Sequence, residues 1–201
     1  MTFIEKSIDI FRNAIDKYHE TDNVDTPITC SYEPTSIEYH LYHKAWIDTV
    51  QWHLEDIIRN PEILPDEALK IKRRIDFSNQ ERTDLVELID SYFWEKYHNV
   101  TPQKEARINT ESPAWAIDRL SILQLKIYHM RIEAERADAT AEHIKKCQAK
   151  LNVLLQQQDD LITAIEQLLN SMATGEVMMK VYKQMKMYND PALNPVLYAK
   201  K

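Results

Sequence analysis

In a chain built of helices, chemistry shows where a polar side chain interrupts an apolar stripe, and several residues here do so at about 100° per residue. Between residues 35 and 59 the stripe is Tyr39, Trp46, Ile47, Val50, Leu54 and Ile57. His43 projects from its centre, His53 sits at its edge beside Trp46, and Asp56 lies one turn beyond His53. An imidazole near a carboxylate can exchange protons at neutral pH, so His43, His53 and Asp56 are the candidate catalytic residues. The competing reading is that a core histidine simply satisfies a buried hydrogen bond. Asp48 and Glu55 point away from the stripe and read as solvated, as does Glu87.

Arg82 is the sharpest anomaly. It projects from the face formed by Ile71, Ile75, Leu85, Ile89, Tyr92 and Phe93, with Asn79 on its shoulder. An arginine is buried only when paired, so Arg82 must meet an acidic partner on another helix or hold an anion. Further along, Asp118 and His129 share a second stripe with Ile122 and Leu125. They are about 16 Å apart along the axis and cannot ligate one metal together. Each must pair with another helix: Asp118 with Arg82 by charge, His129 with Asp56 or His43. Asn79, Arg82, Asp118 and His129 are therefore the candidate ligand-binding residues. His40 and His43 stand one turn apart, which by itself is a weak metal-ligand spacing. Gln158 breaks the stripe between Leu155 and Ile162, where a buried amide more often fixes helix register than binds anything. The sequence holds no His-Glu-x-x-His and no paired Glu-x-x-His, so no metal ligand set is specified, although a divalent cation is admitted as a cofactor.

The elements that must position these residues are helices. The chain of 201 residues contains one glycine, Gly175, where an average composition would supply about fourteen. Phosphate loops, dinucleotide fingerprints and nucleophile elbows need more than that, and so do hairpin-rich sheets. Proline supplies the punctuation instead, at positions 27, 34, 61, 65, 102, 113, 191 and 195. The first helix is expected over 2–18, with Thr2 and Glu5 in capping-box spacing. A second, opened by Thr35 and Glu38, runs to about Arg59. A third runs from Pro65 to about Tyr97, and Ser112-Pro113 opens a fourth.

From 114 to 190 there is no proline. One helix over 113–172 would be roughly 90 Å long, against a radius of gyration of about 16–17 Å for a compact domain of this size. A turn near Arg136-Ala137-Asp138 is expected, making 113–172 a hairpin, packed or protruding. Gly175 ends the fifth helix. A short Met- and Lys-rich helix is expected before Asn189-Asp190-Pro191, with the last residues extended across the body. The architecture is all-α, an antiparallel bundle of about five long helices in a single domain over 1–201.

The formal charge of −7 comes without a basic run, which argues against a nucleic-acid surface. Cys30 and Cys147 are too few for a disulfide scaffold or a structural zinc site. No segment is apolar enough to span a bilayer and the N-terminus lacks a signal-peptide core, so a cytoplasmic location is expected.

Several segments together resemble a bacterial family. They are Asp48-Thr49-Val50-Gln51-Trp52-His53-Leu54-Glu55-Asp56, Lys72-Arg73-Arg74-Ile75-Asp76, Ser78-Asn79-Gln80-Glu81-Arg82-Thr83-Asp84, Asp118-Arg119-Leu120-Ser121-Ile122-Leu123 and Met187-Tyr188-Asn189-Asp190-Pro191. The family is the domain-of-unknown-function 4254 family, and the resemblance runs along nearly the whole chain. It carries over no activity, substrate or catalytic residue. It does imply a setting linked to envelope-glycan biosynthesis.

Two readings compete. In the first, the polar residues converge on an interhelical pocket that binds or processes a phosphate- or sugar-bearing metabolite. In the second, they pair with one another inside a non-catalytic interaction protein, whose long helices offer the surface for a homodimer or a partner.

Overall fold

The computed structural model describes residues 1–187 and 190–199. Five long helices follow the proline punctuation: α1 (Phe3–His19), α2 (Ile37–Ile58), α3 (Pro65–Tyr97), α4 (Pro113–Ala134) and α5 (Ala141–Ala173). A one-turn α6 (Pro195–Tyr198) comes last. The caps explain the boundaries. At α1, Thr2 Oγ1 accepts from the Glu5 N–H, and Glu5 accepts from the Thr2 N–H in return. At α2 the cap is Ser36 rather than Thr35: the Ser36 hydroxyl accepts from the Tyr39 N–H at 3.1 Å. Pro65 opens α3 without a side-chain cap, and Ser112 caps α4.

The bundle is all-α: no strand occurs among the described residues, and one isolated parallel bridge joins Arg107 and Val177. Helix α2 packs against α1, α3 and α4. Its residues Leu41, Tyr42, Lys44, Ala45, Trp46, Ile47, Asp48 and Thr49 are buried on every side of the helix. The main core gathers Ile4, Phe11, Tyr18, Trp46, Ile89, Phe93, Ile117 and Leu120. The chain turns between Ala134 and Ala141, so 113–172 is a hairpin whose two helices pack on each other. Its outer end holds a smaller core of Leu123, Ile127, Cys147 and Leu151. Gln158, which breaks the α5 stripe, is paired across the hairpin. Gln124 donates to Gln158 at 3.0 Å, and Arg12 bridges both amide oxygens.

The C-terminal region departs from expectation. No helix forms over Val177–Met187, although the Met- and Lys-rich sequence suggested one. The segment is tied down as non-helical chain by the Arg107–Val177 bridge, by the Gln184 N–H on Glu87, and by Lys186 Nζ on the Asn79 carbonyl at 2.8 Å. The bonds at Glu176, Met178 and Gln184 occupy backbone groups a helix would have used. The short helix lies instead at Pro195–Tyr198, within the stretch expected to be extended. Tyr188 and Asn189 of the expected tail motif lie outside the described residues. Among the described residues, no helix is long and apolar enough to cross a membrane.

Candidate functional site

Where α2, α3 and α4 meet, five polar side chains close into one cluster. Lys44 and Asp48 stand one turn apart on α2, Arg82 comes from α3, and Asp118 and Ser121 stand one turn apart on α4. Lys44 Nζ is 2.5 Å from Asp48 Oδ2 and 2.6 Å from Asp118 Oδ1. Arg82 Nε is 2.6 Å from Asp48 Oδ1, and Nη2 is 3.4 Å from Asp118 Oδ1. The Ser121 hydroxyl donates to Asp48 Oδ2 at 2.7 Å. The Lys44 side chain is 0% exposed and that of Asp48 2%, whereas Arg82 keeps 22%.

Two cations face two carboxylates, so the cluster is neutral and each buried charge has a counter-charge. Burial works against the Arg82 cation, but Asp48 and Asp118 outweigh it and hold the guanidinium above its ordinary value. The Arg82–Asp118 pair anticipated on charge is present, but Asp48 is the closer partner. Asp48 is thus not solvated. A helical plot that assumes one buried face puts it on the surface, and this part of α2 has no surface face. Lys44 was missed for the same reason, and Ser121, on α4, was not singled out. The available signal was a lysine and an aspartate at i,i+4 inside a stretch otherwise apolar all round.

Arg82 and Asp48 form the inner wall of a groove of about 440 Å³. Along α2 it is lined by Gln51, Trp52, Glu55, Asp56 and Arg59, and from α4 by Ile122. At the mouth, Arg59 reaches Glu55 at 3.1 Å and Asp56 at 3.8 Å. Glu55 therefore borders the groove instead of simply facing water. Arg82 spends Nε and Nη2 on its carboxylates, and Nη1 has no partner among the described residues. Asn79 is satisfied locally: Gln51 donates to its Oδ1 at 2.9 Å, and Ser78 donates to Gln51. Asn79 and Asp118 instead face a smaller cleft of about 180 Å³ behind Arg82, bordered by Gln184 and Lys186 of the C-terminal segment. Glu87, read as solvated, is half-buried beneath that segment and accepts from the Gln184 N–H.

The histidines part company. His43 lies on another side of α2, in a separate groove with Arg73, Arg74 and Glu81, and burial lowers its pKa. His53 and His129 come together with His19 of α1. Neither Asp56 nor His43 is bonded to His129, although the Asp56 charge acts on both His53 and His129. Burial, reinforced by the neighbouring imidazoles, pushes His129 down to about 4. Trp52 connects the two regions, lining the groove and stacking on His129 with centroids 4.7 Å apart.

The architecture and the site together define an all-α bundle with a closed ion-pair cluster under an open polar groove. Residues 38–181 match the family described as protein of unknown function (DUF4254), and the chain belongs to that family. Comparison with curated proteins and with solved structures returned no match.

Proposed function

We propose that the chain binds, in the groove between α2, α3 and α4, a small sugar-bearing metabolite, with or without a phosphate. The observation that carries this reading is the groove itself, which opens on Arg82, the most exposed member of the charge cluster, and is rimmed by hydrogen-bonding groups of both signs. Carboxylates such as Glu55 and Asp56 accept from sugar hydroxyls, Arg59 and the free Nη1 of Arg82 donate, and the Trp52 ring offers a flat apolar wall. Acidic groups outnumber basic ones along the wall, so a polyphosphate would need a divalent cation between it and Glu55 or Asp56. A setting in envelope-glycan biosynthesis, implied by the family resemblance, agrees with a sugar ligand. Asp56 borders this groove, while His43 and His53 do not line it, so of these three Asp56 is the one placed to exchange a proton with a bound ligand.

A second reading has its own support. The cluster is neutral and internally satisfied, as a device for specifying a core would be, and Leu69 and Phe77 stand exposed on α3 as partner or dimer contacts would. The thermal midpoint against sugar phosphates, nucleotide sugars and divalent cations separates the two. A ligand at a hundred times its Kd adds about 2.7 kcal/mol, roughly 5–10 °C here. Arg59→Ala at the exposed mouth abolishes that shift while leaving the unliganded midpoint within about 1–2 °C, since exposed pairs contribute little. A flat panel together with a dimer by light scattering transfers the assignment to the interaction protein.

A further inference from the structure

His19 closes α1, and His53 and His129 lie in the last two turns of α2 and α4. One ring nitrogen from each lies within 4.8 Å of the others. Nε2 of His19 and Nε2 of His53 are 3.2 Å apart. Two ligands on a tetrahedral zinc with Zn–N of 2.0–2.1 Å stand about 3.3 Å apart, so this pair already has the spacing of two donors on one ion.

The protonation pattern favours the same use. The Ile15 carbonyl can only accept, so the 2.7 Å contact fixes the hydrogen of His19 on Nδ1 and leaves its Nε2 lone pair free. That is the usual arrangement behind a metal-bound histidine. His129 Nε2 is buried with no hydrogen-bond partner. Leaving a buried ring nitrogen unpaired costs stability, and an ion would satisfy it. The rings are also held in plane: Tyr18 stacks on His53, Tyr128 lies 4.3 Å from His19 and Trp52 lies parallel to His129. Asp22 Oδ1 is 3.7 Å from His53 Nε2. Its backbone sits in the left-handed region at φ 47°, which aspartate tolerates, and its N–H is tied to the Tyr18 carbonyl at 3.0 Å.

We propose that His19, His53 and His129 form a three-imidazole binding site for one tetrahedral divalent transition-metal ion, with zinc the ion this donor set suits and an oxygen donor, water or the Asp22 carboxylate, in the fourth position. The site stands on α1, α2 and α4, apart from the ion-pair cluster, and does not depend on what fills the groove. Loading replaces the His19–His53 contact with two metal bonds, and the His53 ring hydrogen moves to Nδ1. A second grouping, Glu133, His143 and Cys147 at the hairpin, is the competing place for an ion. There the His143 Nε2 is already shared between Glu133 at 2.8 Å and Cys147 at 3.3 Å.

The test is calorimetric titration of the whole chelator-treated chain with Zn²⁺ at neutral pH, followed by X-ray absorption of the loaded wild type. The expected result is one equivalent per chain, a raised thermal midpoint and a shell of three imidazoles with one oxygen donor. His53→Ala and His129→Ala should each lose more than the 10–100-fold in affinity that removing an outer-shell partner costs. His98→Ala, on the exposed end of α3, should change nothing. Absence of stoichiometric binding overturns the proposal. So does sulfur in the metal shell, which places the ion at Cys147 and requires no variant to fold.

Discussion

Lys44 carries an ammonium into a space from which water is excluded, and it is tolerated there because two carboxylates lie within 2.6 Å of it. Removing one member strands another. Lys44→Met should destabilise by about 3–5 kcal/mol, the cost of breaking a buried pair. The double variant Lys44→Met/Asp48→Leu leaves Arg82 with Asp118 in balance. It should cost less than the sum of the single variants by about 0.5–3 kcal/mol in urea denaturation. Strict additivity would contradict the cluster as a unit. The histidines give the pH dependence. In the folded chain His129 titrates at about 4, against an ordinary 6.5, and His53 and His43 are lowered too. At these sites the unfolded chain therefore binds more protons between those values, so the histidines' contribution to stability is fully present above pH 6.5 and is lost as pH falls toward 4. His129→Gln should flatten that slope in denaturation curves collected from pH 7 to 4.5. Arg82, Asp118 and the histidine anomalies were legible in the sequence because each interrupts a clear stripe. Lys44 and Asp48 were not, since a plot with one buried face has no place for a segment buried on all sides.

Helix boundaries were legible for a simple physical reason: with one glycine in the chain, prolines and hydroxyl caps had to stop the helices. Ser112-Pro113 and Pro65 start α4 and α3 as read. The failure at Val177–Met187 has the opposite cause, since residues of good helix propensity are held out of a helix by contacts from α3 and from the 101–107 loop. Gly175 makes that possible. It takes φ 76° after α5, and a Cβ there would stand 2.5 Å from the Thr101 carbonyl oxygen. Its own carbonyl accepts from the Gln103 N–H at 2.9 Å, and the next residue's carbonyl from Arg107 at 2.8 Å. Gly175→Ala combines left-handed strain of about 1–2 kcal/mol with a backbone clash. It should lower the thermal midpoint and speed hydrogen exchange at Gln103 and Arg107, while exchange in α2 stays slow. Unchanged exchange in that loop would show that the glycine is not what holds it.

Over the whole molecule, the length of a continuous 113–172 helix was the argument that required a turn, and the chain reverses between Ala134 and Ala141. The reversal lays α5 back along α4 and leaves α4 enclosed, which is why that helix is apolar on two sides and can bring Asp118, Ser121 and His129 inward together. Assembly of the charge cluster consequently waits on three helices that are distant in sequence, with Lys44, Arg82 and Asp118 each from a different one. An amine-reactive label offered to the native protein meets Lys17 and Lys72 at the surface, and the Lys44 amine is out of its reach. Label arrives at Lys44 only when α2, α3 and α4 part, so this lysine is a built-in clock for the opening of the bundle.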